Sequence, residues 1–382
     1  MILYGQQSIN QQDIDAVVAV LTSDYLTQGP QVPAFEAALS EFTGAQYTLA
    51  VNSATSALHI ACLALGVGAG DRVWTSPITF VASANAALYC GAEIDFVDID
   101  AITGNMCPNQ LAIKLAEAAK QDKLPKVIIP VHLCGHSCDM QAIGKLASQY
   151  GIKVIEDASH AIGGYYQGEP VGSCRYSDIC IFSFHPVKII TTAEGGAALT
   201  NSSELAAAMA RLRSHGITKL EAELQRQDQG DWYYEQHELG YNYRMTELQA
   251  ALGVSQMTRL QSFVCRRNEL ATHYTQLLTR LPLTLIQPLT ESTSSYHLFV
   301  VRLPKGENRR RLFDEMRALN VQVHVHYIPV HLQPYYQKLG FTRGQFPQAE
   351  AFYNDILTLP LHPGLSKEEL AYIVKSLKAC LA

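Results

Sequence analysis

The stretch SFHPVKIITTAEGGAALT, residues 183–200, sets one lysine, Lys188, among apolar residues and follows it with an acid and two glycines. A lysine taken out of water loses basicity, and its neutral amine is a nucleophile that can form a Schiff base with a carbonyl. The plainer reading is a side chain whose stem packs while its ammonium reaches solvent. Ser183 adds a hydroxyl able to hold a phosphate, and Glu194, Gly195 and Gly196 read as a tight turn back into the strand AALT.

On either side of this stretch the chain from residue 50 to 200 alternates β-rich and helical runs: VWTS and FVASANAALYC, EIDFVDID and a helix after Pro108, KVIIPVHL and MQAIGKLASQY, then KVIEDAS. That rhythm predicts βαβ units and an α/β fold with a central, mostly parallel sheet covered on both faces. Right-handed crossovers then bring the strand carboxyl ends to one side, where ligands of such sheets bind. Asn10 and Asp13 cap a first helix whose Ile14, Val17, Val18 and Leu21 form an apolar stripe. Residues 216–243 make a polar, aromatic-rich connection, too long for a turn. A helical stretch from Thr246 to about Leu281 then links to YHLFVVRL, a helix around 308–319, the β-like run VQVHVHYI and a last helix from Ser366. The expected division is a large domain over 1–245, N-terminal segment included, and a linking helix with a smaller C-terminal α/β domain over 246–382.

Composition narrows the functional classes. The 382 residues are 48% hydrophobic and 17% charged with a formal net charge of −6, which suits a globular chain and argues against one built to coat nucleic acid. No run approaches the roughly 20 apolar residues of a membrane span, and no basic-then-apolar leader opens the sequence. Nine scattered cysteines fit free thiols in a reducing compartment, so a cytoplasmic location is expected.

Three further segments supply chemistry beside Lys188. VNSATSALHIACLAL, residues 51–65, runs small polar residues into a helix, where the amides of Ala54 and Thr55 offer an anion site, although Ser53 can equally be a simple cap. In SPITFVASANA, residues 76–86, Phe80 can lie against an aromatic ring or merely pack. KVIEDASHAIG, residues 153–163, ends a strand in Glu156 and Asp157 with His160 near. A carboxylate buried there needs a positive partner, and a protonated pyridine nitrogen would serve.

Taken in order along the chain, these segments have the pattern of a pyridoxal phosphate enzyme. With SDYLTQGP, NSATSAL, TFVASANA, EDASHA, SFHPVKIITTAEGG and GYNYRMTELQAALG, the sequence resembles the DegT/DnrJ/EryC1/StrS sugar aminotransferases over almost its whole length, and most closely the branch serving pseudaminic acid biosynthesis. The resemblance implies the aminotransferase fold type I, pyridoxal 5'-phosphate as cofactor, and a homodimer with shared active sites. L-glutamate would be the donor and C4 of a UDP-linked 4-keto-6-deoxy-N-acetylhexosamine the acceptor. By the same resemblance Lys188 and Asp157 are catalytic. Ala54, Thr55 and Ser183 hold phosphate, Phe80 stacks on the ring, His160 contacts the cofactor, and Asn242 reaches the neighbouring subunit's site. Tyr4, Asp24, Tyr25, Leu26, Thr27, Ser53, Arg244, His326 and Tyr327 would meet substrate. One site would serve both substrates in turn.

Another nucleotide sugar, aminated at C3 or C4, needs the same chemistry. The related sugar 3-dehydratases carry histidine in place of the lysine, and a cofactor-binding regulator would need a DNA-binding helix pair that is not recognisable here. In VHLCGHSCDM, alternation of His132, Cys134, His136 and Cys138 raises a zinc or iron site, but Gly135 should break the strand and no metal is expected. Arg211, Arg213 and His215 either line a helix or meet a diphosphate.

Overall fold

The computed structural model of the protein describes residues 1–226 and 228–381. Seven strands build the large sheet: β1 (Tyr47–Val51), β2 (Arg72–Thr75), β3 (Glu93–Phe96), β4 (Val127–Ile129), β5 (Lys153–Asp157), β6 (Ile179–Ser183) and β7 (Gly196–Thr200), in the order β1-β7-β6-β5-β4-β2-β3. Only β7 runs against its neighbours β1 and β6, while β6, β5, β4, β2 and β3 are parallel. Strands β4, β6 and β7 are buried at every residue, as strands with helices on both faces must be. The carboxyl ends of β1, β2, β5 and β6 therefore meet at one edge, and these are the ends of the four segments singled out in the sequence.

Helices α1 (Gln11–Leu21), α2 (Gln31–Thr43), α3 (Ala54–Ala64), α4 (Ala82–Tyr89), α5 (Pro108–Lys120), α6 (Met140–Tyr150) and α7 (Ser203–Arg213) cover the sheet. Helix α1 starts as expected, with Asn10 and Asp13 forming a reciprocal capping box. Its orientation differs from expectation: Ile14 is 47% exposed and Leu21 58%, whereas Asp13 is buried. The cause is polar. The Asp13 carboxylate accepts from Ser255 Oγ at 2.7 Å and Gln256 Nε2 at 2.9 Å and pairs with Arg259, and a buried carboxylate must keep such partners.

The long helix expected from Thr246 is two helices, α8 (Glu247–Met257) and α9 (Leu260–Leu278). They part at Thr258 and Arg259, where the Arg259 guanidinium turns to Asp13 and the Ser8 carbonyl. Along α9, Phe263 and Val264 pack with Phe35 and Phe184 beneath the large sheet, while Leu270, Ala271 and Tyr274 pack with the C-terminal part of the chain. There an antiparallel sheet of β8 (Thr284–Leu285), β9 (Phe299–Arg302) and β10 (Ile356–Leu359) is flanked by α10 (Arg309–Ala318) and α11 (Lys367–Cys380). The N-terminal residues join this part: Ile2 bridges to Val321, and the Leu361 N–H donates to the Tyr4 carbonyl.

VQVHVHYI is not a strand. It makes isolated bridges at Val321 and at His324, which exchanges hydrogen bonds with Thr358. Pairing stops there because the chain turns to carry His326 and Tyr327 toward the large sheet, and Pro329 then lacks a donor. In the 216–243 connection, Ile217–Thr218 pairs with Glu235–Gln236, and Trp232 and Leu239 are exposed. Arg211 and Arg213 are tied to Glu238 and Glu36 rather than free for a ligand. Among the described residues no helix is long and apolar enough to cross a membrane.

Candidate active site

A cavity of about 610 Å³ opens at the carboxyl ends of β1, β2, β5 and β6. Ser183, the last residue of β6, faces Gly196, the first of β7, and the loop between them carries Lys188. Phe184 caps this loop from below: its carbonyl accepts from the Thr192 N–H and the Thr191 hydroxyl, and its ring meets Phe35. Ile189 and Ile190 are buried. The apolar neighbours thus go into the core and leave the lysine to the cavity, which resolves why an ammonium sits in that stretch. Burial lowers the Lys188 amine to about 8, partly offset by the Asp157 carboxylate.

Gly196 has a steric reason. A Cβ there would lie 2.5 Å from the Ala54 nitrogen, so only glycine lets the start of α3 seat against β7. At that helix start Ser53 Oγ accepts from the Ser56 N–H at 3.1 Å. The N–H groups of Ala54 and Thr55, the first two helical residues, have no partner that the helix can supply and line the cavity.

Asp157 is buried at the end of β5. Its Oδ2 accepts from Ser83 Oγ at 2.6 Å, and its Oδ1 accepts from Ser159 Oγ at 2.6 Å and the Ser159 N–H at 3.1 Å. Phe80 borders the cavity with 60% of its surface exposed, unusual for a phenylalanine beside a core. Across from it Tyr327 Oη lies 3.2 Å from His160 Nε2, and His160 Nδ1 is buried without a partner. Burial, with the Lys188 charge adding to it, holds His160 well below the ordinary imidazole range, so it is neutral. His326 Nδ1 lies 2.9 Å from the Thr358 hydroxyl, and burial, with His324 and Lys188 adding to it, pushes this ring down to about 3. Tyr4 and His324 complete the rim, the His324 and His326 rings stacked at 4.5 Å.

The structure therefore brings Tyr4, Ser53, Ala54, Thr55 and Phe80 together with Asp157, His160, Ser183, Lys188, His326 and Tyr327. It does not bring Asp24, Tyr25, Leu26 or Thr27, which are exposed on the loop after α1, nor Asn242, exposed, nor Arg244, which bridges to Val51. Sequence reasoning missed Ser83 and Ser159 on Asp157, and Glu194, His185 and His297 in the cavity wall. The signals available were a serine two residues after Asp157, a common local hydrogen-bonding spacing, and a serine in the first turn of α4. His132 instead meets Glu156 at 2.8 Å and accepts from the Cys138 N–H at 3.1 Å, His136 meets Ser294 at 2.8 Å, and Cys138 Sγ meets the Val131 carbonyl.

An unpaired helix start, an aromatic face left open, a buried imidazole nitrogen without a partner, an amine of lowered basicity and a buried carboxylate fit a flat phosphorylated pyridine aldehyde. Solved structures agree. Helicobacter pylori PseC, an aminotransferase involved in the biosynthesis of pseudoaminic acid, superposes with a TM-score of 0.91 at 32% identity, covering 100% of this chain and 99% of its own. The PLP form of a sugar aminotransferase structure from Streptococcus pneumoniae gives 0.90 at 30% identity, over 100% and 98%. The protein is a pyridoxal phosphate-dependent nucleotide-sugar aminotransferase. The chain belongs to the DegT/DnrJ/EryC1/StrS aminotransferase family, whose model matches residues 7–378. It is 38% identical over 385 aligned positions, 100% of this chain and 98% of the relative, to the UDP-4-amino-4,6-dideoxy-N-acetyl-beta-L-altrosamine transaminase of Campylobacter jejuni.

Proposed function

We propose that the enzyme moves the amino group of L-glutamate to C4 of UDP-2-acetamido-2,6-dideoxy-beta-L-arabino-hexos-4-ulose, a UDP-linked 4-keto-6-deoxy-N-acetylhexosamine, in pseudaminic acid biosynthesis. The observation that carries this reading is the end-to-end similarity to the Campylobacter transaminase. Pyridoxal phosphate, when bound, supplies a carbonyl for the amino group and a ring that takes up electron density. The amides of Ala54 and Thr55 and the Ser183 hydroxyl would hold its phosphate, Phe80 would cover the ring, and His160 would offer its spare nitrogen to it. Asp157 would hold the proton of the ring nitrogen. Lys188 Nζ would supply the amine that holds the cofactor and the base that carries the proton in the transfer. Tyr4, Ser53, His326 and Tyr327, which line the same cavity, would meet substrate.

Initial rates measured with glutamate against a panel of keto sugars test the assignment. The expected result is parallel double-reciprocal lines and a kcat/KM for the named sugar at least about ten-fold above that for a UDP-linked 4-keto pentose, which lacks the acetamido group and C6. A preference of that size for the pentose, or for a 3-keto sugar, would move the substrate elsewhere in the family and leave the chemistry standing.

The active form in this reading is a homodimer with shared sites. Exposed Trp232 and Leu239 on the long connection, and the open apolar face of α1, support it. Asn242, Arg244 and the run Asp24–Thr27, absent from the chain's own cavity, would then serve the partner's. Light scattering should give twice the 42.1 kDa of the chain, and a species at the single mass with full activity would rule the sharing out. Unpaired cysteines suit a reducing compartment, which makes the cytoplasm the proposed location.

A further inference from the structure

Two buried hydroxyls lie behind Asp157 with no part in the chemistry described so far. Ser83, in the first turn of α4, donates to Asp157 Oδ2 at 2.6 Å, and Thr79 Oγ1 lies 2.8 Å from Ser83 Oγ. All three side chains are buried, and the segment that holds the two hydroxyls also presents Phe80 to the cavity.

The direction of the chain of hydrogen bonds follows from chemistry. An ionised carboxylate only accepts, so the single Ser83 proton is committed to Asp157, and the alternative acceptor, the Phe80 carbonyl at 3.4 Å, is the poorer one. The Ser83 lone pair then faces Thr79, which must donate. Each bond in such a chain polarises the next, so the Thr79 proton makes Ser83 a stronger donor. The start of α4 adds its positive end on the same side.

We infer that Thr79 and Ser83 form a positioning relay that fixes the Asp157 carboxylate in its charged state and orientation, so that the proton shared with the cofactor's pyridine nitrogen stays on the nitrogen. The inference rests on Asp157 facing that nitrogen. Hydrogen bonds to a carboxylate stabilise the anion and lower its proton affinity. With Ser83 and Ser159 donating to opposite oxygens, the ionic arrangement, carboxylate with pyridinium, is favoured over neutral acid with pyridine. Removing Ser83 takes one donor from the carboxylate, and the shared proton moves toward it.

The test uses holoenzyme reconstituted with cofactor carrying 15N in the ring, without substrates. Ser83→Ala should move the ring-nitrogen resonance toward that of unprotonated pyridine and raise the cofactor Kd about ten-fold, because the carboxylate is no longer held in the orientation that meets the ring nitrogen. Thr79→Val, which keeps Ser83 but drops its donor, should move both readouts in the same direction by less, about two- to three-fold in Kd. A packing defect alone would not shift the nitrogen in that graded order. Folded variants with the wild-type resonance and Kd overturn the relay, provided Asp157→Ala in the same experiment does move the resonance. If Asp157→Ala leaves the resonance unmoved as well, the placement of Asp157 at the ring nitrogen fails, and the relay fails with it.

Discussion

Lys188→Ala should lower kcat by about 10⁴-fold or more, because in the proposed mechanism one side chain would supply both the cofactor's anchor and the proton carrier. The variant keeps the α3 start, Phe80 and Asp157, so it should fold and still take up the cofactor, without the yellow absorbance of a lysine-linked carbonyl. Steady-state kinetics and a spectrum of the loaded variant check the two halves separately. The amine's environment adds a pH signature. At an ordinary 10.5 a lysine at pH 8 is almost wholly charged, whereas at about 8 it is half neutral. The nucleophile is the neutral form, so cofactor capture by wild-type apoprotein should speed up about ten-fold per pH unit below 8 and level off above it. Activity above about 1% of wild type in Lys188→Ala, beyond the expected loss, would remove the lysine from the chemistry.

Asp157→Ala should cost about 10²- to 10⁴-fold in kcat/KM. Taking one partner from a buried charge pair leaves the other uncompensated at about 3–5 kcal/mol, and 1.36 kcal/mol is ten-fold. The loss should fall mainly on kcat, since the proposed phosphate and stacking contacts would persist while the ring would lose its protonated nitrogen. The Ser83 and Ser159 hydroxyls would also lose their acceptor, so a modest fall in thermal stability should accompany it. Wild-type kcat with a raised KM alone would mean that Asp157 serves binding and not the electron sink.

Much of the site was legible because its parts sit where local rules place them. Asp157, Ser183 and the Ala54 amides stand at strand ends or helix starts and Lys188 on the loop that follows a strand, and the α/β alternation that brings those ends together is written in short buried runs. Phe80 declared itself less well, since one phenylalanine before a helix usually packs, and only its exposure in the fold distinguishes it. The hydroxyls on Asp157 were read past because Ser83 looks like any small residue in a helix's first turn. Where partners come from far along the chain the reading failed. The apolar stripe of α1 should have faced inward, but Asp13 finds its partners at Ser255, Gln256 and Arg259, more than 240 residues away, and polar satisfaction turned the helix. The division of the long helix at Thr258 has the same non-local origin, as does the departure of VQVHVHYI from strand geometry toward the cavity.

The visible absorption spectrum of the protein loaded with pyridoxal phosphate, taken before and after L-glutamate and again after the UDP-linked 4-keto-6-deoxy sugar, is the most direct test that Lys188 and its neighbours form an amino-transfer site. A yellow band present in wild type, absent in Lys188→Ala, bleached by glutamate and restored by the keto sugar is the expected result. A wild-type protein that binds the cofactor but shows no such band, or a band that Lys188→Ala retains, would contradict it.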